Sequence, residues 1–464
     1  MSTNAPEIST LGELKASGYR YRSVKEEIRE NLILKLSRGE SLFPNIVGYE
    51  NSVIPQIINA ILGCQDIIFL GERGQAKSRI VRALTQLLDE WTPIVRDSEL
   101  PEDPLAPITS ASKALIEAQG DDTLVSWWHR DDRYGEKLAT PDITIADIIG
   151  EVDPIKVAEG RYLDDELTLH YGLVPRMNKG IFAINEIPDL AERIQVGLLN
   201  VLEERDVQVR GHKVRLPLDV FILATANPED YTNRGRIITP LKDRYGAQIR
   251  THYPEIIEHE VDIMLAEANV LSLPDYSVTV PDYMAEVIAE VTHQARRSPD
   301  VNQRSGVSVR ASISNYEALV ANAFRRALML NEAEVVPRIS DLEYIYSSFQ
   351  GKVEFEAMEE GQEDKITQRI IQSACKAIFD QRHELADLQP IADAFNQGLT
   401  IEIGEAVYAD DYAVIIDKIS GLADRLTSTT PGTRAAEVEF ILEGLHLNKL
   451  LNKYAVSGRA TFTG

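Results

Sequence analysis

The chain has 464 residues, which is too long for one compact core, so two or three structural units are expected. Its 44% hydrophobic and 26% charged residues are ordinary for a globular protein, and its two cysteines exclude a disulfide scaffold and fit a reducing compartment. A formal net charge of −25 argues against a generic nucleic-acid binder, which needs a surplus of Lys and Arg. The sequence shows neither a secretory signal nor an apolar run near the ~20 residues of a membrane span, so we expect a cytoplasmic protein.

The first part of the chain predicts a helical leader and then a strand. Residues 11–39 carry apolar side chains at intervals of three and four, which indicates a leader over residues 1–40. An apolar helix at about 51–63 and a buried strand at 66–70 follow. The segment after the next turn again has helical spacing. A glycine-rich turn at 71–78 therefore lies between a strand and a helix.

That turn has the composition of a phosphate-binding loop. Gly71 and Gly74 let backbone amides wrap around a polyphosphate, while Lys77 can reach its outer phosphates. The Ser78 hydroxyl can ligate Mg²⁺. The predicted nucleotide-binding residues of this segment are Gly71, Glu72, Arg73, Gly74, Gln75, Ala76, Lys77, Ser78 and Arg79. Ala76 stands where the pattern G-x-x-x-x-G-K-[ST] has its last Gly, so we expect residue 76 to keep a negative φ.

The middle of the chain predicts two further strands. Residues 92–140 are rich in Pro and Asp, and we interpret them as an irregular insertion. Apolar runs at 180–186 and 219–228 predict buried parallel strands. A helix is expected at 191–203, and the alternating segment 207–216 predicts a β-hairpin.

Polar residues follow both of these strands. Glu186 is positioned to polarise an attacking water, and Asn185 to hold the Mg²⁺ shell, as at the end of a Walker B strand. Asp is the usual residue at the position that Asn185 occupies. Because Asn offers an oxygen but no charge, we expect hydrolysis to be slowed more than binding. A turn without a catalytic role is the alternative. Thr225 and Asn227 end the next strand, where a polar side chain can sense the γ-phosphate, although Asn227 also fits a simple turn.

Two arginines complete the set of candidate site residues. Arg244 lies just beyond the core and is suited to reach a neighbour's nucleotide as an arginine finger. Lys242 or Arg236 could serve instead, and a surface ion pair is a further alternative. Arg310 opens a predicted lid helix and could bring a second positive charge to the phosphates. A solvated arginine is its alternative, although a cation is mildly unfavourable at a helix N-terminus.

From residue 254 onward the pattern is almost wholly helical. The predicted fold class is α/β, a phosphate-loop core with a parallel sheet flanked by helices, followed by a helical lid and a further helical region. The predicted organisation is a helical leader at 1–40, a core at 41–253 with inserts near 92–178 and 204–217, a lid at 254–350 and a C-terminal accessory region at 351–464.

The order of these parts resembles the AAA+ ATPases, and within them the magnesium-chelatase ATPase-subunit and MoxR group. The resemblance spans about residues 42–350. The segments that carry it are Ile46–Gly48, Gly71–Ser78, Gly150–Asp153, Tyr171–Pro175, Gly180–Glu186, Asn227-Pro228, Asp243–Gly246 and Arg310. It implies ATP and Mg²⁺ as cofactors, with Val47 and Gly48 also at the nucleotide.

The resemblance further implies a homo-oligomeric ring, expected to be a hexamer. An insert near 143–178 and the hairpin at 207–216 would face its central pore. Ala76 is similar to MoxR-type loops, whereas Asn185 departs from both branches. A partner protein with a von Willebrand A-type domain is expected, with no membrane span and no nucleic acid.

Three functions follow as hypotheses. The leading one is Mg-dependent ATP binding and hydrolysis by a ring that remodels or assembles a partner protein. The second, motivated by Asn185, is a nucleotide-gated scaffold with little turnover, in which restoring Asp would give a large gain in rate. The third, a DNA-acting helicase or transcription activator, is disfavoured by the charge and by the absence of the loop Gly-Ala-Phe-Thr-Gly-Ala.

Overall fold

The computed structural model describes residues 4–152, 169–204, 216–227, 235–356, 361–456 and 458–464. The chain divides into two compact units, Met1–His252 and Tyr253–Gly464. The predicted hairpin at 207–216 lies outside the described residues apart from its last position, as does most of the predicted insert at 204–217.

The first unit is built on a parallel sheet. Its strands, in chain order, are β1 Ile67–Leu70, β2 Trp91–Val95, β3 Val125–His129, β4 Tyr134–Leu138, β5 Gly150–Val152, β6 Leu169–Tyr171, β7 Gly180–Asn185, β8 Val220–Ala226 and β9 Ala247–Arg250. Five of them form one sheet in the order β4-β7-β8-β1-β9, with every neighbouring pair parallel. The β2–β3 and β5–β6 pairs are antiparallel and separate from it.

Helices cover both faces of this sheet. The helices that the structure describes in the first unit are Leu11–Ala16, Val24–Ser37, Val53–Leu62, Lys77–Ala83, Ser110–Gln119, Ile145–Ile148, Leu173–Arg176, Glu192–Glu203 and Thr239–Arg244. Alternate residues of β1 enter different cores, since Phe69 packs with Ile57 on one face and Ile68 with Leu198 on the other. A strand buried on both faces is apolar throughout, which is why the buried strands of this sheet could be predicted from the sequence. The predicted α/β class with a helix-flanked parallel sheet is confirmed.

A buried ion pair ties the predicted leader to the core of the first unit. The guanidinium of Arg133, which is 0% exposed, donates to both carboxylate oxygens of Glu27 at 2.7 Å. Arg133 also donates to the carbonyl of Lys179 at 2.8 Å, and Glu27 accepts from the amide of Asp89 at 2.7 Å. The helix Val24–Ser37 is therefore held by a fully hydrogen-bonded charge pair as well as by apolar packing.

The interpretation of residues 92–140 as irregular was wrong. They contain most of β2, the helix Ser110–Gln119, β3 and β4, and β4 is an edge strand of the central sheet. The sequence of β4, Tyr-Gly-Glu-Lys-Leu, gives no apolar run because the strand has only one neighbour and is partly exposed.

In its described residues, the second unit combines helices with two small sheets. Its helices are Ile257–Glu267, Asp282–Arg297, Arg310–Leu330, Tyr346–Gln350, Gln362–Arg382, Gln389–Asn396, Tyr412–Lys418 and Pro431–Leu447. Strands β10 Ser277–Val278 and β11 Glu334–Val335 pair in parallel. Strands β12 Ile401–Gly404, β13 Asn452–Val456 and β14 Arg459–Thr463 form an antiparallel sheet in the order β12-β14-β13.

The regions predicted as a lid and as a separate accessory region share one apolar core. Val287 and Phe324 belong to the same cluster as Phe379, Phe440 and Phe462. The predicted helices of both regions are present, but the sheet β12-β14-β13 was not predicted. Residues 452–456 form β13, within the region that the sequence predicted to be almost wholly helical.

Within the described residues of both units, no helix is at once long enough and apolar enough to cross a bilayer.

Candidate functional site

The glycine-rich loop leaves the carboxyl end of β1, in the middle of the parallel sheet. The amide of Gly71 donates to the carbonyl of Ala226 at the end of β8, at 3.1 Å. On the other side, the amide of Thr251 after β9 donates to the carbonyl of Leu70 at 2.9 Å. Ligands of open α/β sheets bind at the carboxyl ends of the strands, and the loop lies there.

Two positions of the loop, residues 71 and 76, restrict which amino acid fits there. A Cβ at residue 71 would lie 2.0 Å from the hydroxyl of Thr251 and 2.2 Å from the side-chain oxygen of Gln75, so a side chain there would displace the hydrogen bond between these two groups. Ala76 adopts φ 55° and ψ 11°, the left-handed conformation. The expectation of a negative φ at Ala76 was wrong, because the residue before Lys77 takes the loop's turn into the helix Lys77–Ala83. A left-handed L-residue costs roughly 1–2 kcal/mol.

Side chains from outside the motif brace the loop. The Gln75 oxygen accepts hydrogen bonds from the hydroxyl of Thr251 at 2.7 Å and from the amide of Glu72 at 3.0 Å. The hydroxyl of Tyr49 lies 3.0 Å from the carbonyl of Gln75 and 2.7 Å from that of His252. Burial raises the pKa of Tyr49 to about 12, so its hydroxyl stays protonated and able to donate. Sequence reasoning missed Tyr49 and Thr251, although Tyr49 directly follows the predicted Val47 and Gly48.

The amine of Lys77 lies among oxygen acceptors. It donates to the carbonyl of Gly71, to the carbonyl of Glu72 at 2.6 Å and to the side-chain oxygen of Asn227 at 3.0 Å. The structure thus brings together two predicted site residues that are 150 positions apart. These three contacts orient the Lys77 amine within the loop.

The ends of β7 and β8 are joined by side chains. The hydroxyl of Thr225 donates to the side-chain oxygen of Asn185 at 3.2 Å and accepts from the amide of Glu186 at 3.1 Å. Glu186 has φ 55° and ψ 48°, a left-handed conformation that a non-glycine residue adopts at a cost. This strained residue is the one that the sequence nominated as the catalytic carboxylate.

A carboxylate that sequence reasoning missed lies beside Asn185. The side-chain amide of Asn185 donates to Glu136, a residue of β4. Glu136 also accepts from Arg82, on the helix that follows the loop, at 2.8 and 3.1 Å, and from the hydroxyl of Tyr134 at 3.0 Å. Burial acts to raise the pKa of Glu136, but the hydrogen bonds from Arg82, Tyr134 and Asn185 and the charge of Arg82 leave that pKa below its ordinary value.

The two predicted arginines lie in different units. Arg244 ends the helix Thr239–Arg244 and pairs with Glu203 of its own chain through Nε at 2.7 Å, while donating to the carbonyl of Pro240 at 2.8 Å. Arg310 begins the helix Arg310–Leu330, as predicted, and is exposed. It belongs to the second unit, whereas the loop belongs to the first.

The donor set suits a magnesium ion that arrives with a nucleotide. Ser78 is the second residue of the helix after the loop, and Asn185 ends the strand β7. Mg²⁺ takes oxygen ligands and is commonly held by one or two protein oxygens together with substrate phosphates and water. The hydroxyl of Ser78 and the amide oxygen of Asn185 are the groups that would hold it.

Comparisons with known proteins give one family model and a set of sequence relatives. The model, described as a Sigma-54 interaction domain, matches residues 158–242, a part of the chain that excludes the loop. The magnesium-chelatase 38 kDa subunit of Cereibacter sphaeroides is 26% identical over 231 residues, 48% of this chain and 62% of that protein. The magnesium-chelatase subunit ChlI of Chlorella vulgaris is 24% identical over 337 residues, 69% of this chain and 86% of that protein.

A further relative carries no assigned activity. The uncharacterized protein YeaC of Bacillus subtilis is 27% identical over 223 residues, 44% of this chain and 64% of that protein. The chain spans less than two thirds of the length of this relative and of the Cereibacter sphaeroides subunit.

Solved structures match more loosely. One that describes the complex between subunits BchI and BchD of magnesium chelatase covers 70% of this chain and 98% of its own, at a TM-score of 0.35 and 18% identity. NtrX from Brucella abortus in complex with ADP covers 78% of this chain and 64% of its own, at a TM-score of 0.35 and 14% identity. The resemblance to the magnesium-chelatase ATPase subunits that the motifs indicated is confirmed by the sequence relatives.

Proposed function

We propose that this chain, an AAA+ ATPase-family protein related to the magnesium-chelatase subunits, binds and hydrolyses Mg-ATP in a ring and uses the cycle to remodel or assemble a partner protein. The observation that carries the proposal is the placement of the Lys77 amine among the carbonyls of Gly71 and Glu72 and the side chain of Asn227. A braced loop with a cation at its centre is what a polyphosphate needs.

The roles of the site residues follow from their places. Lys77 and the loop amides would hold the phosphates, and Ser78 and Asn185 the Mg²⁺ that neutralises them. Glu186 would polarise the attacking water, and Asn227 would sense the outer phosphate through its contact with Lys77. Arg244 and Arg310 would add positive charge from a neighbouring subunit and from the lid.

The direct test is ATP turnover by the purified protein. We expect Mg-dependent release of phosphate by the wild type and none by Lys77→Ala, which removes the central cation but none of the bracing contacts of Gln75. Equal rates for the two proteins, alone and with candidate partner proteins, would overturn the proposed enzyme activity.

The oligomer and the partner are separate parts of the proposal. We propose a hexameric ring in the cytoplasm whose partner carries a von Willebrand A-type domain, by analogy with the chelatase-like and MoxR group. Light scattering with and without ATP tests the ring, and co-purification with the product of a neighbouring gene tests the partner. A protein that stays monomeric in saturating Mg-ATP contradicts the ring.

A second function is favoured by the neutral side chain at Asn185. If the site binds ATP but scarcely turns it over, the chain is a nucleotide-gated scaffold. Nucleotide affinity from calorimetry, set beside the turnover rate and the assembly state, separates the two functions. Tight binding with ATP-dependent assembly and no turnover supports the scaffold. A DNA-acting function stays disfavoured by the net charge of −25.

A further inference from the structure

The carboxylate of Glu136 and the amide of Asn185 belong to a continuous chain of hydrogen bonds across three strands. Arg82 donates to Glu136, Glu136 accepts from Asn185, and Asn185 in turn accepts from Thr225. Thr225 accepts from the backbone amide of Glu186, the proposed catalytic carboxylate. The chain therefore runs from the helix behind the phosphate loop, through β4, β7 and β8, to Glu186.

Both ends of the Asn185 side chain are committed by this arrangement. Its NH₂ group faces a carboxylate and its oxygen faces a hydroxyl donor. An amide satisfies both partners, whereas a carboxylate at residue 185 would set two negative groups within hydrogen-bond distance of each other. Like charges at that separation cannot both stay ionised without a large penalty. Glu136 thus makes Asn the compatible residue at position 185.

The contacts of Glu136 with its neighbours favour its ionised form, and its side chain is mostly buried. Its side chain is 19% exposed, and Arg82 grips both of its oxygens from the phosphate-loop helix. The side chains that donate to Glu136 are those of Arg82, Tyr134 and Asn185. Of these three, only Arg82 is charged, and it lies on the helix that follows the phosphate loop. Residues that orient a metal ligand from behind commonly change metal affinity by about 10–100-fold when they are altered.

We propose that Glu136 is a positioning residue that supplies, one hydrogen bond behind Asn185, the negative charge that an Asp at residue 185 would otherwise bring to the Mg-nucleotide site. This inference rests on the proposed function for its nucleotide. In this arrangement the site keeps the negative charge that Asn185 lacks, because Glu136 carries it instead. This role of Glu136 also reverses the expectation from sequence alone that Asn185→Asp raises turnover.

The first test needs no nucleotide. Melting temperatures of Asn185→Asp, Glu136→Gln and the double variant form a cycle in the ligand-free protein. We expect Asn185→Asp to lower the melting temperature and the double variant to recover it, since the introduced glutamine amide can donate to the introduced carboxylate. Melting shifts that simply add in the double variant would overturn the pairing.

The second test uses the non-hydrolysable analogue adenylyl imidodiphosphate with Mg²⁺ or with EDTA. The measured quantity is the dissociation constant in EDTA divided by that in Mg²⁺. We expect Glu136→Gln to lower this ratio about tenfold and Asn185→Asp in the Glu136→Gln background to restore it. A purely structural role would shift the melting temperature and leave the ratio unchanged, and that result overturns the proposal.

Glu402→Gln is the matched control. Glu402 is also a strand glutamate paired with an arginine, Arg459 at 2.6 Å, but it is exposed and lies in the second unit. We expect neither measurement to change. If the wild type binds no nucleotide, the proposed function fails and the role of Glu136 toward Mg²⁺ fails with it. If it binds nucleotide but Glu136→Gln keeps the Mg²⁺ ratio, only the inference about Glu136 fails.

Discussion

The amine of Lys77 lies 3.0 Å from the side-chain oxygen of Asn227, so the phosphate loop and the end of the neighbouring strand β8 meet at one hydrogen bond. This contact joins the residue that would hold the outer phosphates to the residue that would sense them. A change at Asn227 should therefore act on the charge of Lys77 and not only on its own strand.

Asn227→Asp is expected to weaken ATP binding by about tenfold or more. A carboxylate at this distance pairs with Lys77 and competes with the phosphates for its charge. Asn227→Ala removes the contact without adding charge, so its affinity should fall less. Titration calorimetry measures both, and an Asn227→Asp protein that binds ATP as tightly as the wild type contradicts the assigned role of the contact.

Ala76→Gly is expected to stabilise the protein by about 0.5–1 kcal/mol. Glycine removes the cost of the left-handed conformation, and the greater freedom of the unfolded chain offsets part of that gain. Ala114 in the helix Ser110–Gln119 is exposed, and Ala114→Gly there should destabilise by about 0.5–1 kcal/mol. Urea unfolding monitors both variants, and a destabilised Ala76→Gly protein shows that the strain is absent.

The buried pair Glu27–Arg133 supports a prediction about the leader helix. Arg133→Met leaves the Glu27 carboxylate without its bidentate partner, and we expect a loss of about 3 kcal/mol or more in the free energy of unfolding. The double change Glu27→Leu and Arg133→Met removes both charges, so it should recover much of the loss. Denaturant titrations of the wild type and of these two variants test this, and equal losses in the single and double variants would refute it.

The phosphate loop was predictable because its signal is local. The eight residues Gly71–Ser78 carry the glycine, lysine and hydroxyl positions in a fixed order, and the apolar runs on either side announce a strand and a helix. Asn185 and Glu186 were predicted as site residues in the same way, from the apolar run before them. Even there the backbone of Ala76 was mispredicted, because its φ is set by the turn into the helix and not by residue preference.

The remaining site residues could not be found because the sheet alone brings them together. Glu136 lies on β4, a partly exposed edge strand with two charged residues. It contacts Asn185 only because β4 pairs with β7 in the folded sheet. Thr251 follows β9, about 180 residues after the loop that it braces. Glu260 illustrates the same limit in the second unit, where a charged helix residue is fully buried.

Glu260 makes a pH-dependent contribution to the stability of the second unit. Its carboxylate accepts from Arg296 at 2.6 and 3.0 Å and from the hydroxyl of Ser312 at 2.6 Å, and His293 lies 3.2 Å away. Burial acts to raise the pKa of Glu260, but the adjacent His293 ring, the hydrogen bonds from Arg296 and Ser312 and the charge of Arg296 leave that pKa below the ordinary value of 4.5. The ionised form therefore stabilises the fold fully above about pH 4.5, and this contribution is lost as the pH falls through the lower folded value.

Glu260→Gln isolates this contribution from that of the other carboxylates. At pH 7 we expect the variant to unfold about 3 kcal/mol more easily, because Arg296 keeps its place without an opposite charge. The difference from the wild type should shrink as the pH falls below 4.5. The exposed control Glu402→Gln should change stability by less than about 0.5 kcal/mol at every pH. A wild-type-to-variant difference that grows on acidification means that the pKa is raised instead.

Arg244 provides the test of the ring. Arg244→Ala should leave ATP affinity unchanged and lower turnover by roughly 10³-fold, as expected for an arginine finger supplied by a neighbour. Lys77→Ala is expected to be inactive for the opposite reason, since it keeps Arg244 but would lose its own phosphate site. Mixing the two inactive variants should therefore restore part of the activity, at boundaries where an intact loop meets an intact arginine.

The in-chain pair of Arg244 supplies the control for that experiment. Glu203→Gln breaks the ion pair that holds Arg244 against its own chain, and it should keep or raise turnover because the arginine is then freer to reach a neighbour. If Glu203→Gln is as inactive as Arg244→Ala, the ion pair itself is what the fold requires. If the mixed variants stay inactive although both assemble, Arg244 does not act across a subunit boundary.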